Sequence, residues 1–262
     1  IDDLLHNVHV ALPSEPTQVI VDPGRVVLAE LKVDKPVAWW CEELAHATLG
    51  LDRIAAARAL GGLGGPRADE ALRRALTADP FWAVRGAAAA ALGQLRSAAA
   101  RPALLTALAA EPQPRARRAV VAALGALGAA GGTHDDGVAD ALVTLIERGD
   151  PSYFVEAAAC LALGKSRSPR AAAVLRSAAT RDSYTDVIRQ HAFRGLAEAR
   201  DHDAVPLLLA GTAWGGVPQG RRAAIMALAQ LARGRRDLQA RDIRERLEAL
   251  LGDRDFRVQA AA

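Results

Sequence analysis

The sequence predicts an all-α protein of the α-solenoid class, and two observations support this. The first is a repeat in which an alanine-rich stretch ends with a leucine followed by glycine or alanine. We call the residue seven places before that leucine the ruler position. Successive ruler positions are 32 to 39 residues apart: Arg53, Arg85, Arg117, Glu156, Arg189, Arg221 and Arg257. The second is that each copy holds two amphipathic helical stretches separated by short breaks rich in Gly, Pro and Ser. Both are typical of stacked repeats, so we predict a right-handed superhelix of helical hairpins.

The stretch from Asp79 to Gly93 shows how one ruler helix is predicted. Asp79 can accept the first free backbone N–H groups, and Pro80 suits the first helical position, where a missing donor costs nothing. Gly93 is predicted to end the helix in the left-handed conformation. Alanine fills most of the helix between them. We therefore expect neighbouring ruler helices to approach closely, with axes about 8 Å apart.

The domain organisation follows from a change in composition near residue 36. Residues 1–36 are rich in β-branched side chains, and a turn signal separates the runs 17–21 and 26–33. Alternation between His6 and Val10 suggests a further short strand. We predict that residues 1–36 are the last strands of a preceding β domain or a linker. The apolar residues from Val19 to Val33 are expected to be partly exposed or to contact the first helices. Residues 37–262 are predicted to form about six full repeats and a truncated seventh.

Composition excludes several classes of protein. The formal net charge is only +3, from 33 basic and 30 acidic residues that are interspersed, which argues against a nucleic-acid partner. Two distant cysteines, Cys41 and Cys160, are expected to be buried thiols. There is no signal peptide and no apolar run of membrane-spanning length, so we expect a cytoplasmic protein with no membrane contact. Because the chain starts at Ile1 and ends inside a predicted helix, we expect it to be cut from a longer polypeptide.

The start of the chain resembles a junction in a known family. The turn at Asp22 to Gly24, the apolar run ending at Leu31, the Pro36 break and a Trp- and Leu-rich helix leading to Arg53 follow one another. This order resembles the end of the β-sandwich and the start of the C-terminal helical region in zinc aminopeptidases of the aminopeptidase N type. In the branch that the chain most resembles, that region consists of HEAT-like repeats.

The resemblance implies a non-catalytic scaffold of HEAT-like helical hairpins. It would pack against its own catalytic domain and shape access to the active site or mediate protein contacts. Zinc is expected only in that absent domain, because the family's His-Glu-x-x-His motif does not occur in this chain.

Three alternatives stay open. The chain could be a free-standing HEAT-like module that binds a protein or peptide on its concave face. A nucleic-acid-binding module would require arginines converging on one concave face, and a phycobilin-lyase-like module would require a bilin-sized cleft. We expect a protein partner in preference to nucleic acid.

No catalytic, cofactor-binding or metal-binding residue is predicted in this chain. His6 and His9 fall on opposite faces of a predicted strand, and His134 and His202 lie in breaks between helices. Zinc requires three or four converging ligands. Neither a glycine-rich phosphate loop after a strand nor a Gly-x-Ser-x-Gly elbow occurs.

The ruler arginines are candidates for a structural ladder. An acidic residue lies near most of them, so each guanidinium is expected to bridge to an acidic helix cap in its own or the next repeat. The alternative is an anion-binding stripe. Glu156 replaces arginine and would pair with Arg117 or Arg189. The predicted ladder is Arg53, Asp79, Arg85, Arg117, Asp150, Glu156, Asp182, Arg189 and Arg221.

Aromatic residues are candidates for an interaction rim. Most of them cluster where ruler helices begin, and side chains at one phase of a solenoid lie along one edge. We expect most to fill gaps between alanines in the core. The candidate rim residues are Trp82, Tyr153, Tyr184 and Trp214. Trp214, in a glycine-rich loop, is the best candidate for exposure.

Overall fold

The computed structural model describes residues 9–24, 26–28, 31–128 and 135–262, and its helices form two layers. The outer helices are α1 (Val37–His46), α3 (Pro66–Ala78), α5 (Ala100–Ala110), α7 (Asp136–Arg148), α9 (Ala171–Ala178), α11 (Val205–Gly211) and α13 (Leu238–Leu250). The ruler helices are α2 (Gly50–Leu63), α4 (Trp82–Leu95), α6 (Pro114–Gly128), α8 (Tyr153–Ser166), α10 (Val187–Glu198), α12 (Pro218–Ala232) and α14 (Phe256–Gln259). Short 3-10 turns at Tyr184–Asp186 and His202–Ala204 precede α10 and α11.

The two layers pack with different tightness. The ruler helices α2 to α12 contact one another in succession, whereas the outer helices α1 to α11 each pack mainly on the ruler helix that follows and less on the next outer helix. The last outer helix, α13, packs on α12, which precedes it. An array that is tighter on one layer curves toward that layer. The ruler helices therefore line the concave side, and the predicted α-solenoid is confirmed. Among the described residues, no helix is both long and apolar enough to cross a membrane.

Ruler helices approach each other through one repeated contact between small residues. The glycine eight residues after a ruler position faces the residue six after the next ruler position. A Cβ on Gly61 would lie 2.8 Å from the Cβ of Ala91, and one on Gly164 would lie 2.2 Å from the carbonyl oxygen of Gly195. The same contact joins Gly93 to Ala123 and Gly125 to Ala162. No side chain fits in this space, so glycine sets how close the helices come.

The predicted ends of the ruler helices are wrong because these glycines lie inside the helices. Helix α4 continues past Gly93 to Leu95, and the left-handed residue is Arg96, with φ of 52°. Its start also differs: α4 begins at Trp82, so Pro80 precedes it. Glycine is needed in this helix for close packing rather than for a positive φ.

The predicted N-terminal β segment is not supported. The described residues of 9–36 form no strand, and His6 lies outside the described residues. A short strand needs a pairing partner, and nothing in this part of the described chain supplies one. Val26 and Leu28 are exposed, while Val33 packs against the helical core, as the sequence predicted for the apolar residues of this stretch.

Arginine–carboxylate pairs run along the N-terminal ends of the ruler helices. Arg53 donates to both carboxylate oxygens of Asp79, at 2.7 and 3.1 Å. Arg117 forms the same two-pronged contact with Asp150, at 2.7 and 2.8 Å. Each of these arginines also donates from Nη1 to carbonyl oxygens of the loop before its own helix. One guanidinium therefore ties together the loops of two successive repeats.

The partner of Arg85 is Glu111, which the sequence did not predict. Both oxygens of Glu111 accept hydrogen bonds from Arg85 at 2.7 Å, and one also accepts the N–H of Gln113 at 2.9 Å. The hydrogen bond from Arg85 holds the pKa of Glu111 below its ordinary value. Asp79, Glu111 and Asp150 all lie six residues before a ruler position. That offset was the signal that could have identified Glu111.

Glu156 reverses the polarity of the ladder at one repeat. It pairs with neither Arg117 nor Arg189. It accepts a hydrogen bond from Nη1 of Arg181 at 3.3 Å and another from the backbone N–H of Asp150 at 3.1 Å. Because the ruler residue is acidic here, the guanidinium comes from the loop instead.

The last two ladder positions differ from each other. Arg189 donates to both oxygens of Asp186, at 2.8 Å, while the exposed Asp182 lies 3.6 Å from it. Arg221 is buried and pairs with Asp253, with one contact at 3.2 Å. Asp186 and Asp253 thus belong to the ladder, and of these two the sequence did not single out Asp186.

Replacing Gly164 with alanine will destabilise the chain by about 3 kcal/mol or more, because its Cβ meets backbone of α10 that cannot move aside. The matched control is Gly62→Ala in α2, where a Cβ meets nothing within 4 Å. That control is expected to be neutral or to stabilise by up to about 1 kcal/mol, because alanine is the better helix former. Denaturant unfolding measures both, and equal effects would contradict the close-approach argument.

Replacing Glu111 with glutamine will destabilise the chain by about 2 kcal/mol at neutral pH, because Arg85 loses a charged hydrogen-bond partner in a partly buried site. The control Glu70→Gln, in an exposed pair with Arg74 on α3, should lower the melting temperature much less, because solvent screens that pair.

The same pair predicts a pH dependence. The pKa of Glu111 is lower in the folded chain than its ordinary 4.5, so its contribution is complete above that pH and is lost as the pH falls through the folded pKa. The melting-temperature difference between wild type and Glu111→Gln should therefore shrink in acid. A difference that stays constant down to pH values well below the folded pKa would refute the pairing.

Candidate functional site

The described residues contain no cluster typical of a metal site. Across residues 9–24, 26–28, 31–128 and 135–262, no three His, Cys, Asp or Glu side chains converge. His191 contacts the carbonyl oxygen of Val187 through Nδ1 at 2.9 Å, and His202 contacts Arg235. His134 lies outside the described residues.

The two cysteines are buried and unpaired with each other. Burial raises the pKa of Cys160 to about 12 and also raises the pKa of Cys41. A thiol acts as a nucleophile only as its thiolate, so both side chains are protonated and unreactive at neutral pH.

The loops before the ruler helices place aromatic side chains along one edge of the array. We call this the aromatic edge: Phe81, Trp82, Tyr153, Phe154, Tyr184, Trp214 and Phe256. The expectation of core packing is wrong for most of them, since Tyr184 is 70% exposed, Trp214 62% and Phe256 74%. The rings of the aromatic edge lie at the N-terminal ends of the ruler helices. Phe193, in contrast, is buried in α10 against Gly211.

Trp82 and Trp214 show two ways in which the edge is ordered. Trp82 is partly covered and meets Phe81 edge-on, with ring centroids 5.7 Å apart. The indole of Trp214 lies between the guanidinium groups of Arg221 and Arg254, 5.5 and 5.7 Å from its centroid. Cation–π contacts of this kind hold a ring in place while leaving much of it exposed.

The ladder arginines do not form an anion-binding stripe. Arg53, Arg85, Arg117 and Arg221 each direct their guanidinium at a carboxylate and at backbone carbonyl oxygens. Their charges are therefore neutralised within the fold.

A second surface, which the sequence did not single out, lies on the concave face between α6, α8 and α10. It is a groove of about 430 Å³ with Arg115, Arg118 and Lys165 on its walls. Its floor consists of small and aliphatic residues: Ala119, Ala122, Gly125, Ala158, Leu161 and Ala162. None of the described residues that line it is acidic. We call it the basic groove.

His191 reports the electrostatics of the basic groove. Its pKa is lowered first by burial and then by the positive charges of Arg194 on α10 and Arg118 on α6, against the hydrogen bond to Val187. Two cations from different helices therefore act on one side chain. The net charge of +3 concealed this concentration because it averages over all faces.

A larger groove of about 680 Å³ lies beside α1 and α3. It is lined by side chains of both signs, and the pairs Arg74–Glu70 and Arg53–Asp79 neutralise each other there. This groove has no preference for a ligand of one charge.

Comparison with known proteins identifies the repeat. The family model for HEAT repeats matches residues 37–125 and 122–197. No curated protein matches the chain. The solved complex of CpcE and CpcF of phycocyanin lyase from Nostoc sp. is similar, with a TM-score of 0.58 and 22% identity, covering 90% of this chain and 97% of that one.

Two further structures are similar. The YibA protein of Escherichia coli has a TM-score of 0.53 and 16% identity, over 84% of this chain and 78% of that one. Human deoxyhypusine hydroxylase in complex with glycerol has a TM-score of 0.38 and 22% identity, over 86% of this chain and 92% of that one. At these identities, the likeness of the Nostoc and Escherichia coli structures concerns the fold alone.

The resemblance to zinc aminopeptidases is wrong. The matched family is HEAT repeats, and the folds of a phycocyanin lyase complex and of YibA are similar to that of this chain. The strands on which the junction depended are absent from the described residues of 9–36. A turn, a proline break and a helix start were too general to identify that junction.

The repeat period, the two-layer stacking and a family match over more than half of the sequence agree with one another. The chain belongs to the HEAT-repeat family and is a helical repeat scaffold.

Proposed function

We propose that the chain is a protein-interaction module that binds a partner protein along its aromatic edge. The observation that carries this proposal is the exposure of aromatic side chains at or just before the starts of five ruler helices, α4, α8, α10, α12 and α14. Large exposed apolar surfaces on soluble proteins mark sites of association. Tyrosine and tryptophan are also the residues most enriched among those that dominate binding energy.

The layout of the edge suits a protein rather than a small molecule. Its rings lie in the first turns of ruler helices or in the segments just before them, spread over the array from Phe81 before α4 to Phe256 in α14. No described pocket encloses them together. A flat or extended protein surface could contact several rings at once, and each ring brings a large apolar area at low conformational cost.

The similar Nostoc structure supports the proposal in a limited way. It is a complex of two proteins, CpcE and CpcF, so a scaffold of this fold is suited to protein association. The comparison supplies no partner for this chain. Binding is the role we assign to it, because the buried thiols and dispersed histidines described above offer no catalytic arrangement.

Photo-crosslinking tests the proposal. A benzoylphenylalanine placed at Tyr153 or Tyr184 should crosslink the chain to a discrete protein in an extract of its source organism. The same group at Thr144 or Glu147, which are exposed on the outer helix α7, should not. Crosslinks of equal yield at both sets of positions would refute a specific edge.

Once the partner is identified, Tyr184→Ala combined with Trp214→Ala should raise its Kd about tenfold or more, because two exposed anchors are removed. Leu238→Ala is the matched control, since Leu238 is 69% exposed but lies at the start of the outer helix α13. Isothermal titration calorimetry measures the affinities. An edge variant that binds as tightly as the control would overturn the proposal.

A further inference from the structure

The exposed charge on the ruler helices is almost entirely positive. Within α2, α4, α6, α8, α10 and α12, the acidic residues are Asp52, Glu156 and Glu198. Asp52 and Glu156 are buried, which leaves Glu198, near the end of α10, as the acidic side chain that reaches the surface of these helices. The concave face therefore carries almost no negative charge.

The same helices carry exposed cations that belong to no ladder pair. They are Arg58, Arg115, Arg118, Lys165, Arg194 and Arg222. Among the described residues, none of the six forms a salt bridge with a carboxylate. The outer helices differ, because exposed pairs such as Arg74–Glu70 and Arg170–Asp140 balance their charges. The exposed cations of the ruler helices thus have no carboxylate partner among the described residues.

The basic groove is where these cations surround an apolar floor. Arg115 and Arg118 come from α6 and Lys165 from α8. Arg194 is exposed on α10, one helical turn after His191, which also lines the groove. The floor of alanine, leucine and glycine offers methyl groups at short range, with no bulky side chain in the way. A ligand for this groove must combine negative charge with a narrow, partly aliphatic body.

We propose that the basic groove binds an acidic segment of a polypeptide, with its carboxylates on Arg118, Lys165 and Arg194 and its aliphatic atoms on the alanine floor. Arginine and lysine form charge-assisted hydrogen bonds with carboxylates that are stronger than neutral ones. Because this site is on the concave face, the proposal goes beyond the aromatic edge and does not depend on it. Arg115 lies next to both surfaces, with its guanidinium 5.4 Å from the ring centroid of Trp82.

The groove is less suited to a nucleic acid. Single-stranded nucleic acids bind to platforms of aromatic side chains on which the bases stack. Seven of the ten Phe, Trp and Tyr residues lie on the aromatic edge, and none of the described residues that line the groove is Phe, Trp or Tyr. His191 is neutral at physiological pH because its pKa is lowered, so it adds no phosphate contact.

The test measures fluorescence anisotropy with the full chain and a labelled peptide of alternating Glu and Ala, about twelve residues long so that it spans the groove. The groove variant combines Arg118→Gln, Lys165→Gln and Arg194→Gln. The control combines Arg148→Gln, Arg170→Gln and Arg241→Gln, which removes the same charge from the outer layer. A single-stranded oligothymidylate of equal charge is the second probe.

We expect the groove variant to raise the Kd of the acidic peptide about tenfold or more and the control to change it less than about twofold. Peptide binding that falls equally in both variants would show diffuse attraction and overturn the proposal. Oligothymidylate that binds more tightly than the peptide, and only with the groove intact, would assign the site to nucleic acid instead. Melting temperatures establish that each variant is folded.

If the triple variant is unstable, two single substitutions of Lys165 test the proposal instead. Lys165→Gln should weaken peptide binding and Lys165→Arg should retain it, because only the charge is needed. Equal binding by both would refute the proposal. The crosslinks at Tyr153 and Tyr184 use a different surface, so either proposal can fail while the other holds.

Discussion

The whole architecture depends on the close contact between successive ruler helices. Where Gly164 meets Gly195, and where Gly61 meets Ala91, the backbones come so near that even a methyl group on Gly164 or Gly61 would clash with the facing helix. This spacing makes the inner layer tighter than the outer one, which curves the array. It also leaves alanine as the floor of the concave face, where the basic groove lies.

The arginine ladder complements that contact, because it acts at the helix ends rather than along the helix faces. Arg53, Arg85 and Arg117 each connect the loop of one repeat to the loop of the next. In a solenoid, stability is carried by the interfaces between neighbours, since no central core exists. The glycine contact fixes the distance between two ruler helices, and the ladder fixes the alignment of their ends.

The repeated features of the chain could be predicted from its sequence. The ends of individual helices, the partner of Arg85 and the basic groove could not. The period and the alternating helices were sufficient for the fold. Gly93 was misread because glycine serves both left-handed turns and close packing, and one sequence does not distinguish them. Glu111 was missed because aspartate was expected at helix starts. The basic groove was invisible because Arg118, Lys165 and Arg194 are far apart in sequence, and only stacking brings them together.

The sorting of charge between the two layers has a consequence for how the molecule meets other molecules. The outer layer carries acidic and basic side chains in near balance, while the exposed charge of the concave face is mainly positive. The two sides of the scaffold therefore differ in electrostatic potential. A negatively charged protein that drifts within a Debye length, about 8 to 10 Å in physiological salt, would feel a torque before it touches anything. Such steering raises the rate of productive encounters more than it lengthens the life of the complex. Electrostatic attraction would thus orient a negatively charged partner toward the concave face before contact.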